Sequence, residues 1–231
     1  MQLFIADKIE NEAGILGADE TQHATKVLRL NAGDRIFVTD GKGRIYEALI
    51  DGFSKKELQF KIEALYSEES FKSKLHIAIA PTKNLDRFET FLEKATEVGT
   101  DEITPIFSFH SERKVYKTER GKRIIKAAAK QSISHYIPQL NEPLNFSEVI
   151  KSASADAKFI AHCHPNTERI DLLPILSHQK DALILIGPEG DFSEQEVAQA
   201  VKAGFTPVSL GSKRLRTETA AMAVAIGAKL F

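Results

Sequence analysis

The chain has 231 residues, 31 lysines and arginines against 32 aspartates and glutamates, a formal net charge of −1, and 42% hydrophobic residues. That balance excludes disordered and fibrous classes, and roughly 150 residues per domain allows one large or two small domains. A single cysteine, Cys163, excludes an intrachain disulfide framework. The start MQLFIADKIE carries no leader pattern, and the apolar runs at 182–186 and 220–226 fall far short of the ~20 residues that span a bilayer. The expectation is a cytoplasmic protein with no membrane role.

Over residues 1–70, short apolar runs at 3–6, 35–39, 45–50 and 58–65 are separated by the turn signals Asp40-Gly41-Lys42-Gly43 and Asp51-Gly52, which predicts a small strand-rich domain. One amphipathic segment interrupts it. Asp19 or Thr21 caps a helix that buries Ala24, Val27 and Leu28 and exposes His23, Lys26 and Arg29. The polar, acidic stretch 67–73 reads as a linker.

From Lys74 the period changes. Strand-length apolar runs at 75–80, 103–107, 158–161, 183–186 and 207–210 alternate with helical patterns. The spacing predicts helices over 85–98, ended by Gly99, over 118–134, after the capping box Ser193-Glu194-Gln195-Glu196 up to Gly204, and over 217–231. Such alternation specifies an α/β domain, 74–231, with a mainly parallel sheet and a ligand site at the carboxyl ends of its strands.

Charge is uneven along the chain. Residues 1–70 hold nine basic and thirteen acidic side chains, a local charge of −4, whereas 111–130 holds eight basic residues against Glu112 and Glu119, a local charge of +6. Either a solvated helix face or an electrostatic footprint for an anionic partner accounts for the second stretch.

Phosphate-cradling signatures are absent: there is no G-x-x-x-x-G-K-[ST], and no G-x-G-x-x-G follows a strand. His162-Cys163-His164 is the only cluster of metal-ligand types, and its spacing, without a second ligand pair, argues against zinc. Two segments remain. In the first, a buried strand runs into Gly187-Pro188-Glu189-Gly190-Asp191 and a capped helix; in the second, Leu210 to Ala220 crowds Lys213, Arg214 and Arg216 before a helix amino terminus. Glycines admit a ligand to the backbone, and cations crowded at a helix amino terminus suit an anionic partner. Ordinary βα loops fit the same pattern.

Ile186-Gly187-Pro188-Glu189-Gly190, followed by Leu210-Gly211 and Leu215-Arg216-Thr217-Glu218-Thr219-Ala220, resembles the signature of the RsmE family, 16S ribosomal RNA (uracil-N3) methyltransferases of the SPOUT class. The resemblance extends to Glu93-Lys94-Ala95-Thr96-Glu97-Val98-Gly99, Thr104-Pro105, Ser111-Glu112-Arg113, Gln131, Pro138 and His164-Pro165. It reaches His23, Val27, Leu28, Arg29 and Gly33 near the amino terminus. Two positions depart from the family pattern: Asp191 stands where a second glycine is common, and Ser132 to Ser134 lack the usual Gly-Arg.

The resemblance implies a PUA-like β-barrel over 1–70, a SPOUT α/β domain over 74–231 with a carboxy-terminal trefoil knot, and a homodimer acting on 16S ribosomal RNA or the small ribosomal subunit. It also implies S-adenosylmethionine as cofactor, held by Leu185, Ile186, Gly187, Pro188, Glu189 and Gly190, by Leu210 and Gly211, and by Arg214, Leu215, Thr217 and Thr219. For the chemistry this points to Arg216 as the stabiliser of a uracil anion and to Glu218 or Glu97 as the proton relay. Lys26, Arg29, Arg113, Lys114, Lys122, Arg123 and Lys130 are the expected RNA contacts. Methylation of another RNA position, or a noncatalytic ribosome-assembly role, are the competing expectations.

Overall fold

The computed structural model describes residues 2–70, 73–165, 167–176 and 178–230. Contacts divide the chain into two compact units, Met1–Phe71 with Lys126–Ile137, and Lys72–Ile125 with Pro138–Phe231.

The first unit contains β1 (Leu3–Ile5), β2 (Lys8–Glu10), β3 (Ala13–Leu16), α1 (Ala18–Gln22), β4 (Arg35–Thr39), β5 (Arg44–Phe53) and β6 (Leu58–Glu68). They form one sheet in the order β1-β4-β5-β6-β3-β2, antiparallel except for β1 against β4. Alternating side chains of five strands, among them Phe4, Leu16, Val38, Ile50 and Phe60, meet in one buried cluster, which is why the strand period of 2 was readable. β2 and β3 escaped the sequence reading because Lys8–Glu10 is mostly exposed and carries no apolar alternation.

Two local expectations are corrected here. Asp51-Gly52 is not a turn but part of β5, at a register shift between Ile50 and Gly52; the hairpin closes one step later, where Ser54 N–H donates to Glu57 O at 2.7 Å. Glycine inside a strand marks a bulge as readily as a turn. The helix after β3 is capped by Gly17, and its backbone passes at His23–Val27 into a turn of π-helix in which Leu28 N–H donates to His23 O. The wider turn rotates the apolar stripe out of phase, so Ala24 is buried but Val27 is 65% and Leu28 37% exposed.

The second unit follows the predicted alternation. In chain order it holds β7 (Lys74–Ile79), α2 (Leu85–Glu97), β8 (Glu102–Phe107), α3 (Thr118–Ser132), β9 (Gln139–Leu140), β10 (Leu144–Asn145), α4 (Phe146–Ser152) and β11 (Ala157–Ala161). There follow β12 (Ile170–Asp171), α5 (Leu173–Leu176), β13 (Asp181–Ile186), α6 (Glu194–Lys202), β14 (Thr206–Ser209) and α7 (Thr217–Lys229). The sheet order is β10-β8-β7-β13-β11-β14-β12, with β9 also on β8, and every pairing is parallel. Strands buried on both faces read as continuous apolar runs, and Leu183 to Ile186 are all under 3% exposed.

Caps set the helix limits. Asn84 accepts from Asp86 N–H to open α2, and Gly99, at φ +88, closes it in the left-handed region that favours glycine. Ser193 and Glu196 exchange the two bonds of a capping box at the start of α6. The two-residue strands and α5 were invisible to a period argument, being shorter than one repeat of either pattern.

Helix α3 carries the basic face, and its last turns, from Lys126, pack with the first unit. Lys130 is not the free cation expected there. Its Nζ lies 2.9 Å from Glu20 and 5.7 Å from the Phe4 ring centre, with the ion pair largely shielded from solvent. Counting charge along a segment cannot see a carboxylate from 110 positions away. Among the described residues no helix is long and apolar enough to cross a membrane.

Candidate cofactor cavity at the carboxyl ends of the parallel strands

The rule that ligands sit beyond the carboxyl ends of parallel strands locates a cavity of about 310 Å³, at the lower end of the range typical of ligand pockets. β11, β13 and β14 end side by side: Ala161 is in register with Ile186 on one side and Val208 on the other, and all three line the cavity floor. The loops that leave these strands form its walls.

The two segments singled out in the sequence are joined there. Thr217 Oγ1, buried at the start of α7, donates to the carbonyl of Gly187 at 2.9 Å across 30 positions. Replacing Thr217 by valine keeps the shape and removes the donor, leaving a buried carbonyl without that partner, so Thr217→Val is expected to cost about 1–3 kcal/mol. Thermal unfolding of the two proteins side by side measures it.

Of the residues expected to hold a cofactor, Ile186, Gly187, Pro188, Glu189, Leu210, Gly211, Arg214, Leu215 and Thr217 line the cavity, as does Arg216. Leu185, Gly190 and Thr219 do not. Leu185 is buried within β13, a Cβ on Gly190 would meet His110 at 2.9 Å, and Thr219 is exposed on α7. Glu189 lines the cavity while its Oε1 accepts from Lys83 N–H at 3.0 Å, which ties the loop to the segment before α2.

Arg216 is the N-cap residue of α7, exposed, and without a carboxylate partner among the described residues. A cation at a helix amino terminus opposes the helix dipole, so the position fits an anionic partner. Glu218 sits in the next turn, mostly shielded, with Oε1 4.0 Å from Arg87 Nε of α2. Glu97 is not brought to this place: it lies in the last turn of α2, paired with Lys94 at 2.8 Å. Ten residues of helix, about 15 Å, separate its position from that of Arg87.

The sequence reading passed over residues that the fold delivers to the walls, notably His162, Cys163, Arg169, Asp191 and Lys213. The strand-end rule applied to 158–161 would have found the first two. Asp191 explains its own departure from the family pattern: at φ +65 it adopts the conformation that glycine favours and that aspartate tolerates better than most residues. Its carboxylate accepts from Cys163 N–H at 2.7 Å and from Phe192 N–H at 2.8 Å, tying two walls together.

Burial pushes the imidazoles of His162 and His76 below the ordinary histidine range. A folded-state pKa below the unfolded one means that the unfolded chain binds the proton first. The stability these groups contribute is therefore present above pH ~6.5 and lost as pH falls below it. The melting temperature of the protein is expected to drop as pH is lowered through about 6, with a shallower slope in His76→Gln; melts across a pH series read this directly.

The expected RNA contacts divide by what already engages them. Lys26 and Arg29 are exposed and have no carboxylate partner among the described residues. Arg113 Nη2 donates to Lys83 O at 2.9 Å and Lys114 Nζ to Ser108 O at 3.0 Å, so both also brace their loops. Lys122 pairs with Glu142 at 2.9 Å, and Arg123 Nε reaches only Glu119 O, at 3.4 Å. The footprint is accordingly weaker than +6. No group of three histidine, cysteine or acidic side chains among the described residues is placed to hold a metal ion.

Comparison with known proteins agrees with this arrangement. The RNA methyltransferase domain family matches residues 69–228, and the RNA methyltransferase PUA domain matches residues 16–63. A ribosomal RNA small subunit methyltransferase E from Mesomycoplasma hyopneumoniae is 33% identical over 96% of this chain and 95% of its own length. Among solved structures, a probable rRNA-methyltransferase from Porphyromonas gingivalis is 40% identical, with a TM-score of 0.84 over 97% of this chain and 95% of that one. A ribosomal RNA small subunit methyltransferase E from Neisseria gonorrhoeae, solved bound to S-adenosyl methionine, is 25% identical with a TM-score of 0.82 over 97% and 95% of the two chains.

Proposed function

The chain belongs to the RNA methyltransferase family, alongside ribosomal RNA small subunit methyltransferase E, and from that membership we propose that it methylates N3 of a uridine in 16S ribosomal RNA with S-adenosylmethionine. The observation that carries the reading is the cavity closed by the Thr217–Gly187 hydrogen bond, because it places both halves of the resembled signature around one ligand-sized space.

The residues fit the cofactor. Ala161, Ile186, Val208 and Leu210 offer an apolar floor to a flat base, while Arg214 and Lys213 face a carboxylate and Glu189 and Asp191 face an ammonium. Bound there, S-adenosylmethionine supplies an electrophilic methyl group on a sulfonium. The chain must do the rest: admit an unstacked uridine, remove the N3 proton and stabilise the charge that spreads to O2 and O4. Arg216, unpaired at the cavity wall, is the group for that charge. Glu218, held near Arg87, is the group for the proton, and Glu97 drops out of the assignment on its position in α2.

Residues 1–70 act as the PUA-like RNA-binding domain and residues 74–231 as the methyltransferase domain in this reading. Lys26, Arg29, Arg113, Lys114, Lys122 and Arg123 provide phosphate contacts, and Lys130 a structural ion pair. The knotted carboxy terminus belongs to the same reading; α7 lies against α2 and β7 after the chain has left β14, which supports it. So do a homodimer and a cytoplasmic place of action on the small ribosomal subunit.

Nucleoside mass spectrometry of small-subunit RNA, from cells lacking the protein and from cells with it restored, tests the function. Loss and recovery of N3-methyluridine is the expected result. Disappearance of a different methylated nucleoside assigns another position, and no change favours a noncatalytic assembly role.

A further inference from the structure

His162 follows the last residue of β11 and lines the cavity, yet nothing in the proposed chemistry uses it. It is 4% exposed, and its Nε2 has no hydrogen-bond partner among the described residues. The other ring nitrogen settles the tautomer. Backbone N–H of His164 donates to Nδ1 at 3.2 Å, so Nδ1 carries the lone pair and the proton of the neutral ring sits on Nε2. Burial keeps the ring neutral, aided by the nearby His164 and Arg169 and opposed by Asp191. A buried N–H donor left without an acceptor is rare in folded proteins. Here the cavity is the place from which an acceptor comes.

The neighbours of the ring specify which part of a ligand that is. Because Ala161 is in register with Ile186 and Val208, His162 emerges between Gly187 and Ser209, beside the apolar floor. The cations Lys213, Arg214 and Arg216 belong instead to the loop after β14. A flat heteroaromatic base suits the floor, and its ring nitrogens and the ribose oxygens are acceptors.

We propose that His162 donates a hydrogen bond from Nε2–H to the adenosine moiety of the cofactor, making it an adenosine-binding residue. The inference rests on the methyltransferase reading above. It gives the histidine a role distinct from metal binding and from packing, since packing would not leave a polar atom unpaired against a ligand cavity.

The test is isothermal titration of S-adenosylhomocysteine and of 5′-methylthioadenosine, which lacks the amino-acid end, into wild type, His162→Phe and His162→Gln. His162→Phe is expected to weaken both ligands by about tenfold, or about 1.4 kcal/mol. His162→Gln, which retains an N–H donor of similar reach, recovers part of the loss. Wild-type affinity for 5′-methylthioadenosine in folded His162→Phe overturns the proposal, and a loss confined to S-adenosylhomocysteine overturns the assignment to adenosine. If wild type binds neither ligand, the methyltransferase reading itself fails. Should His162→Phe not fold, the imidazole Nε2–H resonance of wild type is followed by NMR as 5′-methylthioadenosine is added; a resonance that does not move overturns the proposal.

Discussion

Arg216→Ala is expected to lower the single-turnover rate of methyl transfer by about 10²–10³-fold, the usual cost of removing one donor aimed at a developing oxyanion. The argument is positional. Arg216 caps α7 with its backbone, so its side chain is free of that duty, and Ala220 N–H donates to its carbonyl at 2.8 Å whatever the side chain is. Truncation therefore leaves the helix start intact. Cofactor affinity is expected to change by less than about tenfold, the value of one hydrogen bond at a partly exposed site. Arg216→Lys keeps the charge without the planar fork and is expected to fall between the two. Rapid-quench assays with radiolabelled cofactor and small subunits, paired with titration of the cofactor, separate the rate from the binding. A loss of binding equal to the loss of rate would make Arg216 a cofactor clamp and leave the uracil anion without its assigned partner.

Phe192→Ala is expected to be the most destabilising single change near the site, at about 3–5 kcal/mol. Phe192 is fully buried, packs its ring 5.4 Å from that of Phe146, and shares a cluster with Ile106, Val197 and Phe205. The wall of the cavity hangs from it as well: a Cβ on Gly187 would approach its ring to 3.1 Å, and its carbonyl accepts from His164 Nε2 at 2.7 Å. Emptying that space leaves a cavity beneath the Gly187–Asp191 loop. The melting temperature is expected to fall by roughly 10 °C, and cofactor affinity to fall with it. Phe192→Leu, which keeps most of the volume, is expected to cost under about 1.5 kcal/mol. Calorimetry on the three proteins ranks them; equal melting of Phe192→Ala and wild type would show that the loop does not depend on this anchor.

The sequence by itself determined the class of each element wherever a period of 2 or 3.6 ran long enough to be counted. The five apolar runs after Lys74 are β7, β8, β11, β13 and β14, and Gly99 and the Ser193–Glu196 box mark real helix ends. Those signals are local: a strand buried on both faces must be apolar throughout, and a helix end must satisfy its own backbone groups. The two loops flanking the cavity were legible for the same reason, since glycine and a crowd of cations are written in order along the chain.

Tertiary structure alone decided what meets what. Thr217 bonds to Gly187, Glu20 neutralises Lys130, Arg87 holds Glu218, and the end of β11 delivers His162 to the cavity floor. None of these pairs shares a local pattern, because each is set by the strand order β7-β13-β11-β14 and not by spacing in the chain. The same holds for Glu97, which the sequence sets beside a lysine and a glycine like those of the resembled family but which the rise of α2 carries to the far end of its helix. Burial and pairing depend on residues tens of positions away, and in a parallel sheet each strand's neighbours are reached through crossovers whose ordering no single segment records.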